Sequence, residues 1–220
     1  MRLAILSANL GHIDPDDTVW VEQVAPGYEI DVHRWDDSSF PPRRCMSPRL
    51  QSRIAKMLGW QMAPGYDLYV WLDSSFTIKD PGAAKWMIDN LGDGDVGVFR
   101  HPHRSSIVAE NEFIKKKIAE GNEYLKSRYE GELGDAEVAE IMSTPGYVDD
   151  RLLVAGIFIY RNVQRVRDAM VEWWYHTSRY HCVDQIGLPF VLWKHGVDTR
   201  ILPGNYYAPK PYFRRLKHRA

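Results

Sequence analysis

Four groups of polar residues stand at places where this chain could do chemistry. Asp73 and Ser75 close the apolar run that begins at Tyr66. Arg49, Arg53 and Lys56 recur upstream at helical spacing. Arg100, His101, His103 and Arg104 crowd around Pro102, and Asp184 and Gln185 stand side by side after Val183. A carboxylate at a strand's carboxyl end lies where open α/β sheets bind ligands, and it can hold a divalent metal, a ribose hydroxyl or a sugar hydroxyl. An acid there can equally open a turn by bonding nearby amides, so two readings are open for Asp73. At ~100° per residue the three upstream cations share one helical sector and repel one another unless an anion lies opposite; the alternative is a solvated face. The polar clusters and the cationic face together suit a diphosphate better than an apolar ligand.

The elements that position these residues follow from periodicity. The run from Tyr66 to Leu72 is apolar on both alternating faces, as a strand buried between helices must be. Further strands are predicted over Arg2–Ser7, Tyr28–His33, Asp95–Phe99, Leu152–Tyr160 and Val197–Leu202. Gly156, inside the most hydrophobic of these, marks a bulge or a close approach by ligand or backbone. Ser47-Pro48 opens a helix with Ser as N-cap and Pro at its first position, and Leu50, Ile54, Met57, Leu58 and Met62 trace its expected buried stripe. Helices are also expected from Asp80-Pro81 to about Leu91, from Ile107 to about Arg128, over Asp135–Met142 and from an Asn162 cap through Trp173, with another helix or a half-buried turn over Asp184–Trp193. Pro102 keeps the Arg100–Arg104 segment on a loop. Strands alternating with helices predict an α/β fold with a mixed, mostly parallel sheet covered on both faces.

The 220 residues are enough for one domain, 1–220, with a substantial core. A formal net charge of −1 gives no overall field toward nucleic acid or membrane, apart from a short basic tail, Phe213–Arg219. The two cysteines, Cys45 and Cys182, are too few for a disulfide framework and suit a reducing compartment. No signal peptide or membrane span is expected, so the sequence reads as cytoplasmic. The eight Trp and twelve Tyr suit a sugar site, although core packing accounts for most aromatic residues. Gly-rich phosphate loops, His-Glu-x-x-His, paired Cys and Gly-x-Ser-x-Gly are all missing from the sequence.

The order of pieces carries a resemblance. A basic helix, Arg49-x-x-x-Arg53-x-x-Lys56, leads into Tyr66-Asp-Leu-Tyr-Val-Trp-Leu-Asp73, then into Phe99-Arg-His-Pro-x-Arg104 and an acid at Glu110. Later come Ala155-Gly-Ile-Phe-Ile-Tyr-Arg161, Trp173-Trp174, and Asp184-Gln185 followed by Val191-Leu-Trp-Lys194. From about Pro48 to Lys194 this resembles the plant and bacterial glycosyltransferase-like family that includes the turgor regulation defect protein, and more distantly GT-A glycosyltransferases. The resemblance implies transfer of a sugar from a nucleotide-sugar donor, with UDP the first choice, to an acceptor hydroxyl on a glycan, protein, lipid or modified DNA base. It implies Mn²⁺ or Mg²⁺ at an Asp-x-Asp motif, which here reads Asp73-Ser-Ser75 and lacks the second acid. A single carboxylate binds a hard dication weakly, so Arg53, Lys56 and Arg104 are alternative neutralisers of the diphosphate. On this reading Arg49, Arg53, Lys56, Asp73, Ser75, Arg100, His101, His103, Arg104 and Gly156 bind the donor. Asp184 is the base or acceptor-orienting acid, or else a helix N-cap; Gln185 contacts the donor sugar; and Asp73 and His195 are metal ligands. Glu110 is expected to be a solvated acid, and Lys210 with the tail from Arg214 to close over the diphosphate. A nucleotidyltransferase, and a non-catalytic nucleotide- or carbohydrate-binding domain, are the alternatives.

Overall fold

The structure is a computed structural model that describes residues 1–14, 19–180, 183–208 and 211–216. Along the chain the elements are β1 (Arg2–Asn9), β2 (Glu29–Asp36), α1 (Pro48–Met57), α2 (Gly59–Met62), β3 (Leu68–Leu72), β4 (Phe76–Ile78), α3 (Ala83–Leu91) and β5 (Val96–Arg100). They continue with α4 (Ile107–Ala119), α5 (Glu123–Tyr129), α6 (Gly134–Met142), β6 (Leu153–Arg161), α7 (Gln164–Arg179), α8 (Asp184–Lys194), β7 (Thr199–Ile201) and β8 (Phe213–Arg215). Pro15, Cys182, Lys210 and the tail beyond Leu216 lie outside the described residues. Among the described residues no helix is long and apolar enough to cross a membrane.

Six strands form one sheet in the order β2-β1-β3-β6-β5-β7. The β2–β1, β1–β3 and β5–β7 pairs are parallel, and β6 runs antiparallel to both β3 and β5. Five strands therefore point one way and only β6 runs against them, which is the mixed, mostly parallel sheet expected. β3 shows why the pattern was readable: all five of its residues are buried, because helices cover both faces. One face packs Trp71, Phe158, Tyr160 and Trp173 beneath α1, α4 and α6 to α8. The other packs Val70, Ile157 and Ile159 beneath α3 and the two-stranded β4–β8 ribbon.

The reversal of β6 decides what reaches the upper edge of the sheet. There β1, β3 and β5 end, and β6 begins. The β5–β6 register jumps between Val98 (opposite Phe158) and Phe99 (opposite Val154), so residues 155–157 bulge away from β5. Gly156 sits in that bulge, and its carbonyl accepts from the Asp73 amide at 2.8 Å.

Several expectations are corrected in detail. α1 is capped as expected, with Ser47 Oγ accepting from the Leu50 amide at 3.1 Å. Its buried residues, however, are Gln51, Ala55, Lys56 and Met57, while Leu50 and Ile54 are only half-buried. The helix is rotated toward its cationic side, which places Lys56 inside. The long helix after Ile107 breaks at Gly121, whose φ of 81° stops helical continuation, and Asn122 caps a separate α5. Asn162 does not cap α7. Its amide donates to the Tyr66 carbonyl and its oxygen accepts from Arg167, leaving Val163 at the cap position.

Candidate active site

A cleft of about 290 Å³ opens at this upper edge of the sheet. Its floor is Trp71, Asp73, Ser75 and the Val154–Gly156 segment. Its walls come from α1 (Arg49, Arg53), the start of α8 (Asp184, Gln185), the α4–α5 segment (Glu110, Phe113, Tyr124, Arg128, Tyr129) and the C-terminal residues Tyr206, Tyr207 and Arg215.

At its centre lies a buried ion cluster. The Lys56 ammonium donates to Asp184 Oδ2 at 2.5 Å and to Asp73 Oδ1 at 3.3 Å, and its side chain is 1% exposed. Arg53 Nε lies 3.1 Å from the same Asp184 oxygen. The ammonium sits between the faces of Trp71 and Trp173, 5.8 and 5.9 Å from their centroids. Each indole also holds an acid in place: Trp71 Nε1 donates to Asp73 Oδ1 at 2.8 Å, and Trp173 Nε1 to the Asp184 carbonyl at 2.6 Å. Burial pushes the Asp184 carboxyl up, but Arg53, Lys56 and Arg49 outweigh it and hold it below the usual carboxylate range. Asp184 is not the N-cap, a position held by Val183. Its carboxylate holds two cations, Lys56 and Arg53.

Asp73 Oδ2 lies beside Gly156. A Cβ built on Gly156 would lie 2.9 Å from Asp73 Oδ2 and 1.8 Å from the Tyr206 hydroxyl, so only glycine lets these groups approach. Tyr206 remains a phenol there, because burial and the Asp73 charge push its pKa well up.

Glu110 overturns the expectation of a solvated acid. It is 3% exposed and accepts from both Arg104 Nε and Gln185 Nε2, linking the loop after β5 to the start of α8. Arg104 lies 3.9 Å over the Phe113 ring. His101 supports this arrangement from behind. Its Nδ1 accepts from the amides of His103 and Arg104 at 3.1 and 3.0 Å, and burial, with the charge of Arg104, pushes its pKa down to about 4. Its Nδ1 is thus occupied within its own loop, and its Nε2 lies 3.0 Å from Arg104 Nη2 and 3.3 Å from the Tyr207 hydroxyl.

Of the sequence-proposed residues, Arg49, Arg53, Asp73, Ser75, Arg104, Gly156, Asp184 and Gln185 line the cleft, and Lys56 lies directly beneath. Four others do not line it: His101, behind the Arg104 loop, and Arg100, His103 and His195. Arg100 bonds the Asp150 carbonyl, and His103 is exposed and stacks on Tyr207. His195 is at the far end of α8, eleven residues and roughly 16 Å from Asp184, where it pairs with Glu172 at 2.6 Å. Arg215 was foreseen only as part of a basic tail. It reaches the cleft because β8 pairs with β4, and it lies 5.5 Å over the Tyr207 ring. Arg128, Tyr129, Tyr206 and Tyr207 were not foreseen. A Tyr-Tyr pair close to a basic segment was the available signal.

Among the described residues no group of three His, Cys, Asp or Glu converges, and Asp73 and His195 are not brought together, so a divalent ion here would have Asp73 as its protein carboxylate and take its other ligands from substrate phosphates and water. The Lys56 ammonium occupies Asp73 Oδ1.

No family model and no curated protein matches the chain. Similar solved structures include the apo bifunctional glycosyltransferase WbbM, at 17% identity and a TM-score of 0.46, covering 79% of this chain and 28% of that one. Apo mouse xyloside xylosyltransferase 1 is 10% identical with a TM-score of 0.49, covering 94% of this chain and 89% of that one. A glycosyltransferase involved in glycosylating the major capsid protein of PBCV-1 is 10% identical with a TM-score of 0.38, covering 80% and 66%.

Proposed function

We propose that the chain is a glycosyltransferase that takes a sugar from a nucleoside-diphosphate donor and neutralises the departing diphosphate with its own cations. The observation that carries this reading is the Lys56 ammonium held between Asp73 and Asp184 beneath the cleft, with Arg53 on the same oxygen. In the transfer, the bond between the anomeric carbon and the β-phosphate oxygen breaks, and the acceptor oxygen takes its place. The acceptor proton leaves to solvent or to the released diphosphate. Negative charge therefore builds on the leaving phosphate, and cations already fixed in position stabilise it without reorganising.

The residues divide the work. Asp184 keeps Lys56 and Arg53 in place, Glu110 does the same for Arg104 and Gln185, and Asp73 offers Oδ2 to a donor hydroxyl. UDP-sugars are the first donors to try, and the acceptor hydroxyl belongs to a glycan, protein, lipid or modified DNA base. The test is release of nucleoside diphosphate from a panel of nucleotide sugars, with and without Mn²⁺. Turnover without added metal that falls at least 100-fold in Asp73→Asn, with the fold intact, supports the reading. Pyrophosphate exchange, or binding with no turnover of any donor, overturns it in favour of a nucleotidyltransferase or a binding domain.

A further inference from the structure

We propose that Arg49, Arg128 and the Tyr129 hydroxyl between them form a receptor for a phosphate group on the α1–α5 wall of the cleft. The proposal deepens the transferase reading and rests on it for what carries that phosphate. Arg49 Nη1 donates to the Tyr129 hydroxyl at 3.3 Å, and its guanidinium lies 5.5 Å from the ring centroid. Arg128 lies 3.8 Å over the Tyr124 ring, near both Arg49 and the Tyr129 phenol. Both guanidiniums line the cleft.

Charge balance separates them from Lys56, Arg53 and Arg104, whereas Arg215, over the Tyr206 and Tyr207 rings, likewise has no ion pair among the described residues. Lys56 and Arg53 share Asp184, and Arg104 has Glu110. Among the described residues no carboxylate comes within ion-pair distance of Arg49 or Arg128. They are held by aromatic faces and by one phenol, and they sit close enough to repel. Burial, and then the charge of Arg49, push the pKa of Arg128 down. Arginine stays ionised through such a shift, so two adjacent positive charges stand here with no ion-pair partner among the described residues. Two planar forks around one hydroxyl match the oxygens of a phosphate, which accepts paired N–H donors. α5 buries none of its residues, so an anion held by both arginines would also fasten α5 to α1.

Inorganic pyrophosphate is the probe, titrated by calorimetry at low ionic strength into the wild-type chain and into Arg128→Gln and Arg49→Gln. Charge-assisted hydrogen bonds of this kind are worth roughly tenfold or more in affinity each. Each variant is expected to weaken binding by about that factor while melting at the wild-type temperature or above, since a repulsion is removed. Arg128→Gln, on an exposed helix, decides alone if Arg49→Gln does not fold. Affinities within twofold of wild type, or a wild-type chain that binds no pyrophosphate, overturn the proposal. Repeating the titration with saturating UDP tells which molecule brings the phosphate. Competition assigns the pair to the donor's diphosphate, and pyrophosphate binding that persists and still needs Arg128 assigns it to an anionic acceptor. If pyrophosphate binds through the pair while no nucleoside diphosphate binds at all, the transferase reading falls and the phosphate receptor stands.

Discussion

Removing the Lys56 ammonium tests the architecture of the site directly. Lys56→Met keeps an unbranched stem between Trp71 and Trp173 and deletes only the charge. With Asp184 at 2.5 Å and Asp73 at 3.3 Å, the ammonium is attracted by ~7 and ~5 kcal/mol at an effective dielectric of ~20. Desolvating the ammonium cancels much of that. Deleting one partner of a buried pair strands the other, however, which costs about 3–5 kcal/mol. Arg53 continues to serve Asp184, so the lower end, ~3 kcal/mol, is expected. Urea unfolding followed by tryptophan fluorescence reads this loss at pH 7. The pH dependence has a fixed sign: the Asp184 carboxyl is held below its ordinary value of 3.8, so its contribution is present above that pH and is lost as pH falls through the folded value. The gap between wild type and Lys56→Met should therefore be full at pH 7 and narrow below about pH 4. In Lys56→Met/Asp184→Asn the stranded anion is gone, and at least ~1 kcal/mol of the loss should return as coupling. A single variant within 1 kcal/mol of wild type, or a strictly additive double variant, refutes the claim that these charges form one buried unit.

Three further outcomes follow from the same geometry. Gly156→Ala places a methyl group 1.8 Å from the Tyr206 hydroxyl, and the forced displacement should cost about 1–3 kcal/mol and weaken nucleotide binding; denaturant unfolding and a UDP titration measure both, with Tyr206→Phe restoring part of the stability. His101 has a folded pKa of about 4 against an ordinary 6.5, so its contribution is complete above pH 6.5 and is lost as pH falls toward 4, by roughly 2–3 kcal/mol. His101→Asn, which keeps an acceptor for the two amides but cannot titrate, should flatten that part of the pH–stability curve; an unchanged slope would refute the assignment. A nucleoside diphosphate at about a hundred times its dissociation constant should stabilise the wild-type fold by ~2.7 kcal/mol in a thermal-shift series with UDP, GDP and ADP, and no shift with any of them counts against a donor site.

Most of the sheet was legible because burial on both faces leaves a simple mark. β3 and β6 are continuous apolar runs, and helices with clear stripes flank them. Strand direction left no such mark. Nothing in Leu153–Arg161 distinguishes an antiparallel strand from a parallel one, since both are equally buried. β4 and β8 escaped for a different reason. Three residues each are too short for periodicity, and they pair across 137 positions of sequence, from Thr77 to Arg214. Arg215 enters the cleft only through that pairing.

The candidate site was half legible, and the division follows charge neutralisation. Isolated acids and bases at strand ends can be read as polar groups in unlikely places, and that found Asp73, Arg53, Lys56 and Asp184. Sequence does not tell which ions are mutually satisfied. Glu110 reads as a surface acid on a helix until Arg104 and Gln185 are seen to close over it. The rotation of α1 shows the same limit. Its leucine and isoleucine predict a stripe that would leave Lys56 in water, yet the helix buries Lys56, because two carboxylates and two indoles can receive an ammonium there. A buried ammonium needs such partners, and they come from β3, α7 and α8, each far away in sequence. The same accounting separates the cleft's cations into two kinds. Lys56, Arg53 and Arg104 are balanced by acids of the chain and are fixed before any ligand arrives. Arg49, Arg128 and Arg215 rest on aromatic rings with no ion pair among the described residues, so an anion from outside changes their energy most. A transferase that must hold its donor firmly and release a diphosphate product gains from both: fixed charge for the transition state, and unbalanced charge for binding that weakens as salt screens it.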